Sequence, residues 1–188
     1  MIRLLRLSGA FFVIAAAVGC TSPSTDGSNV ASIKASSLDR DARMALNSLY
    51  EKTPAARALG VNARGILVFP RITKAGLVVG AQGGDGVLIR DGRTLGYYNT
   101  GGISVGLQAG VQEYGYALFF MSDEALKYVA NTRGWEIGVG PSVVVVDAGM
   151  ARTLTTTTAQ SDIYGFIFDQ KGLMAGMGLQ GTKITQLR

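Results

Sequence analysis

Histidine is missing from this 188-residue chain altogether. Most catalytic zinc, copper and non-haem iron sites depend on imidazole, as does most proton transfer near neutral pH, so a metal or acid/base enzyme is disfavoured. A single cysteine, Cys20, excludes an intrachain disulfide framework and any C-x-x-C motif. The acids, among them Asp85, Asp91, Glu113, Asp147 and Asp162, are scattered without ligand-like spacing, so no calcium loop is expected. No metal or other cofactor is expected.

These absences decide how one conspicuous motif is read. Gly102-Ile103-Ser104-Val105-Gly106 matches the G-x-S-x-G elbow of serine hydrolases. That serine needs a base, and none of the six lysines has a serine or threonine three residues before it to supply an S-x-x-K alternative. Ile103, Val105 and Leu107 alternate with Ser104, Gly106 and Gln108, so the segment reads as a glycine-rich strand. Gly80, Gly83, Gly84 and Gly86 invite a phosphate-loop reading, but no G-K-[ST] and no helix pattern follows, and a hairpin turn is expected there.

The first residues, MIRLLRLSGAFFVIAAAVGC, combine Arg3 and Arg6 with an apolar stretch too short to span a bilayer and small residues before Cys20. This is a signal peptide over residues 1–19. Ala17-Val18-Gly19-Cys20 resembles the lipobox of bacterial lipoproteins, in which the cysteine is lipidated, and Thr21 in place of aspartate implies sorting to the outer membrane. Processing would remove Arg3 and Arg6, leaving 16 basic residues against 13 acidic. That mild excess suits anionic surfaces and does not argue for nucleic acid.

Residues 20–32 are expected to form a lipidated, disordered tether, and residues 33–188 a single domain. SSLDRDARMALNSLYEK, at 36–52, has helical spacing, with Ser36 and Asp39 as a capping box; Pro54 to Leu59 predicts a short helix stopped by Gly60. A third helix is predicted over Asp123 to Asn131 behind Ser122. The remainder is β-rich, in runs separated by GGDG, RDG, NTGG and DQKG, which read as hairpin signals, and the Thr155 to Thr158 run suits a polar edge strand. The expected fold is α+β, with N-terminal amphipathic helices packed on a Gly-rich, strongly curved antiparallel sheet or partly closed barrel. Evenly spaced glycines such as Gly76, Gly80, Gly102, Gly106, Gly110, Gly172, Gly176 and Gly178 fall on one strand face; curvature, or a smooth ligand cleft, would explain them.

Basic residues border several apolar runs: Arg64, Arg71, Lys74, Lys171 and Lys183. Singly these are solubilising residues at strand ends; gathered on one face they would make an anionic headgroup site.

The ordered motifs Leu46-x-x-Leu49-Tyr50, ARGILVFPRITKAG from Ala63 to Gly76, GYYN at 96–99, S-x-G-x-Q-x-G-x-Q from Ser104 to Gln112, ALFFM at 117–121, GWEIG at 134–138, QKGLMAG at 170–176 and GTKIT at 181–185 resemble the SYLF domain family. The resemblance covers about Leu38 to Leu187. It implies a non-enzymatic, phosphoinositide-binding type of module, found beside SH3 or FYVE domains in eukaryotic trafficking adaptors and behind lipoprotein signals in bacteria. Within it Arg71, Lys74, Lys171 and Lys183 match basic positions, Arg64 stands where lysine is common, and Ser104 has no catalytic role. The expected partners are anionic phospholipids or phosphoinositides, with the membrane reached through Cys20. The alternative is a structural or protein-interaction role in the cell envelope, using sheet edges and the Tyr97-Tyr98 and Phe119-Phe120 pairs.

Overall fold

The computed structural model describes residues 27–131, 134–137, 139–146, 150–151, 154 and 160–187. The signal segment, Cys20, Asp147 and the Thr155 to Thr158 run lie outside them. The elements are α1 (Gly27–Lys52), α2 (Pro54–Asn62), β1 (Gly65–Gly76), β2 (Val79–Arg90), β3 (Arg93–Phe120), α3 (Asp123–Asn131), β4 (Trp135–Glu136), β5 (Val143–Val146) and β6 (Ile163–Gln186). The three expected helices are present. Helix α1, however, starts at Gly27, so residues expected in the tether form its first turns. Ser36 is therefore mid-helix, its Oγ donating to the Ile33 carbonyl at 2.9 Å, and Asp39 pairs with Arg43; the capping box is not formed. At α3 the expected cap is present, with Ala125 N–H donating to Ser122 Oγ at 3.2 Å.

Two strands are far longer than the turn signals implied. β3 runs 28 residues straight through NTGG, and β6 runs 24 residues through DQKG. GGDG likewise lies inside β2, so the expected hairpin turn there is absent. Only RDG turns the chain, with Asp91 at φ 50° and Gly92 at φ 73°. DQKG is a bulge, marked by Asp169 at φ 51° and a register shift between Glu113 and Gly115 opposite it.

The length of β3 produces the curvature. Its first part pairs with β2, from Thr94↔Ile89 to Val105↔Val79, and its second part pairs along the same edge with β1, from Gly110↔Gly76 to Phe120↔Gly65. β1 and β2 also pair with each other, so β3 has to bend around the tip of their hairpin. β6 follows β3 along its other edge from Phe120↔Ile163 to Tyr98↔Gln186. Counting each bent strand twice, the order around the sheet is β5–β6–β3–β1–β2–β3–β6–β4. The result is a strongly curved half-barrel. Among the described residues every pairing is antiparallel except β5–β6, which runs parallel, so the sheet is mixed where an antiparallel one was expected.

Glycine permits the bend, by close backbone approach. A Cβ on Gly76 would lie 2.4 Å from Gly80 Cα, and one on Gly110, at φ 137°, would lie 2.1 Å from the Leu173 carbonyl oxygen.

Each face of the sheet has its own core. On the convex side, Leu46 and Leu49 of α1 and Leu59 of α2 cover Val68, Val87, Phe119 and Phe166. Inside the curve, Leu67, Phe69, Leu118, Phe120 and Trp135 pack with Leu126 and Val129 of α3. The Tyr97-Tyr98 and Phe119-Phe120 pairs are consequently not an interface: Tyr98, Phe119 and Phe120 are fully buried, and Tyr97 packs against the convex core. Alternation sends one member of each pair to either core.

Candidate functional site

The β1–β2 connection, Leu77-Val78, contains no turn residue and projects both side chains into solvent at the closed end of the half-barrel. Leu77 is 72% exposed. Strand alternation places Val79, Ile103, Val105, Val111 and Leu173 on the convex face beside it, beyond the reach of α1, and all are exposed, Leu173 by 89%. Val79 pairs with Val105 and Val111 with Leu173, so the residues form one apolar patch. A cluster of this kind on a protein surface marks a contact site for membrane or protein.

The five basic candidates do not form one pocket. Lys171 and Lys183 are exposed on the convex face, in the cross-strand row next to the patch: Lys171 opposite Glu113, and Lys183 between Gly101 and Glu136. Glu113, Thr73, Gly83 and Gly101 lie between them in that row, so they stand several strand spacings of about 4.8 Å apart, with Glu136 beyond Lys183. Lys74 pairs with Gln82 and Gln112 on the concave face. Arg71 is exposed where β1 bulges beside α1, sharing a shallow surface recess with Asp41, Met44 and Asp85. Arg64 is at the other end of β1 from the patch, with its Nε 4.0 Å from Asp123, which also pairs with Arg90 at 3.5 Å. Lys171 and Lys183 are thus the pair that flanks the apolar patch.

The other strong charges tie α1 to the sheet. Asp39 accepts from Arg43 Nε at 2.8 Å and from Thr94, Lys52 meets Asp169 at 2.5 Å, and Lys34 meets Asp85 at 3.1 Å. The Arg43 hydrogen bond, then that from Thr94, holds the Asp39 carboxyl below its usual range. Lys52 acts in the same way on Asp169, and Asn99 followed by Lys34 on Asp85.

Ser104 sits mid-strand, 2% exposed, with Gly80 and Gln180 as its cross-strand partners. An elbow requires a strand-to-helix turn at this position. Among the described residues no group of three or more histidine, cysteine, aspartate or glutamate side chains is placed to hold a metal. No described helix is long and apolar enough to cross a membrane.

A curved sheet with an exposed apolar tip and basic flanks offers a surface of the kind that contacts membranes or proteins. Residues 101–188, from mid-β3 through β6, match the Ysc84 family, described as Las17-binding protein actin regulator. The match agrees with the SYLF resemblance, a family of binding-type domains, and it includes Val111, Leu173, Lys171 and Lys183. No curated protein matches the chain. The sequence had supplied the basic residues; the apolar tip was missed because GLVVGAQ reads as a buried strand.

Proposed function

We propose that this domain docks on anionic phospholipid surfaces through the apolar tip, with Lys171 and Lys183 pairing with headgroups on either side. The exposed patch around Leu77, Val78 and Leu173 is the observation that carries this reading. Burying an aliphatic side chain is worth about 1.5–3 kcal/mol, against about 1 kcal/mol for a lysine near an anionic membrane. Insertion therefore supplies most of the affinity, and the lysines orient the domain and favour negative lipid. Lys74 and Arg71 contribute to the surrounding field, and Arg64 is remote. In this proposal Cys20 provides the lipid anchor of an outer-membrane lipoprotein, and the tip sets how the domain lies on the bilayer.

The test is co-sedimentation of the chain from Gly27 onward, which lacks Cys20, with phosphatidylglycerol, phosphoinositide and neutral vesicles. Leu173→Asp is expected to lower binding at least tenfold at any salt concentration. Lys171→Ala with Lys183→Ala is expected to lower it about thirtyfold at low salt, and less at high salt. Unchanged binding by Leu173→Asp would sink the proposal.

The family's description, Las17-binding protein actin regulator, supports a second reading in which the same tip contacts a protein. Indifference to vesicles of every charge, with capture of an envelope protein that Leu173→Asp abolishes, would select it.

A further inference from the structure

The interior of the half-barrel contains a cavity of about 240 Å³, on the opposite face of the sheet from the apolar patch. Its floor is polar. Tyr114 Oη donates to Gln82 Oε1 at 2.9 Å, and Gln82 Nε2 donates to Thr182 Oγ1 at 3.1 Å, so the Gln82 side chain is fixed from both ends. Beside them Thr100, 1% exposed, borders the cavity, and its buried Oγ1 has no hydrogen-bond partner among the described residues. Leaving a buried hydroxyl unpaired is destabilising, and a ligand that hydrogen-bonds to it would recover that loss. Val87, Leu88 and Ile89 show that β2 has room for aliphatic residues elsewhere, whereas its position 82 spends a buried amide on this network.

The rim is apolar and accessible. Ile137 follows β4, while Val145 and Ile167, both partly exposed, belong to β5 and β6; together they border the seam between β4 and β5, which do not pair with each other among the described residues. Lys74 is the charged cross-strand neighbour of Gln82, and among the described residues none that lines the cavity carries a formal charge. The tyrosines do not supply one: burial pushes Tyr114 and Tyr116 upward, keeping both hydroxyls protonated at neutral pH. An apolar mouth over a hydrogen-bonding floor favours molecules with one polar group on a compact apolar body. Size agrees, since a cavity of about 150 Å³ holds benzene.

We infer that this cavity is a binding site for a small neutral amphiphile, an alcohol or amide that enters through the β4–β5 seam and hydrogen-bonds to Thr100 Oγ1. The site is independent of the tip, and neither proposal depends on the other.

The experiment titrates the ¹⁵N-labelled full chain with benzyl alcohol, ethylbenzene and benzoate, following amide shifts around Gln82, Thr100 and Thr182. Benzyl alcohol is expected to bind most tightly and benzoate least. Thr100→Val, which keeps the shape, is expected to weaken benzyl alcohol about tenfold and leave ethylbenzene unchanged. Ile167→Phe, at the accessible rim, is expected to block both. Absence of saturable shifts at these residues with any probe, preference for benzoate, or equal loss of both neutral probes on Thr100→Val would overturn the inference.

Discussion

Gly110 and Gly92 both have positive φ, yet they serve different ends. Gly92 lies in the RDG turn, where an added Cβ would meet nothing within 4 Å, so Gly92→Ala faces backbone strain alone and should cost about 1 kcal/mol. Gly110 faces the β6 backbone, where a Cβ would stand 2.1 Å from the Leu173 carbonyl oxygen, and relieving that clash means parting β3 from β6 where they bend. Gly110→Ala should therefore cost at least about 3 kcal/mol, measured by urea unfolding; equal losses for the two variants would show that the bend tolerates a side chain. Missing histidine weakened the hydrolase reading of Ser104 before its position in a strand was known, because that inference needs chemistry and no geometry. Curvature was also foreseen from evenly spaced glycines, although whether they admitted a ligand or another strand depended on partners far away in sequence.

Among the elements, α1 is held by groups that titrate. Asp39, Asp85 and Asp169 each have a carboxyl below the usual range in the folded chain, so folding favours their ionised forms. Their contribution is complete above the unfolded value of about 4 and is lost as pH falls through the lower folded values. Stability should be flat with respect to these groups above about pH 5 and decline below about pH 4. The variant with all three aspartates replaced by asparagine should show a shallower acid decline in urea midpoints; an unchanged slope would remove these contacts as its cause. Turns were the least legible elements. RDG was read correctly because two successive positive-φ residues reverse the chain locally, whereas NTGG and GGDG lie where strands need flexibility and small side chains against a neighbour. The real reversal at Leu77-Val78 carries no turn chemistry, since pairing between β1 and β2 on either side holds it in place. For that reason the candidate site was only half visible: its lysines could be read off as charges, but an exposed aliphatic tip looks the same in sequence as a buried strand.

The bent β3–β6 ribbon makes completion of the sheet a late event in synthesis. β3 finds β6 only after α3, β4 and β5 have been made, and until then the edge destined for β6 remains open along its length. Such an edge, rich in valine and glycine, can recruit a like strand from another chain. A chain ended after Asp162 should accordingly lack cooperative unfolding and form sedimenting aggregates, a result checked by circular dichroism and ultracentrifugation; a soluble, cooperatively folded product would show that β6 is dispensable. The bend thus imposes a demand before the protein has any ligand to meet: during its biogenesis, a chaperone that shields strand edges should matter most in the interval between emergence of β3 and arrival of β6.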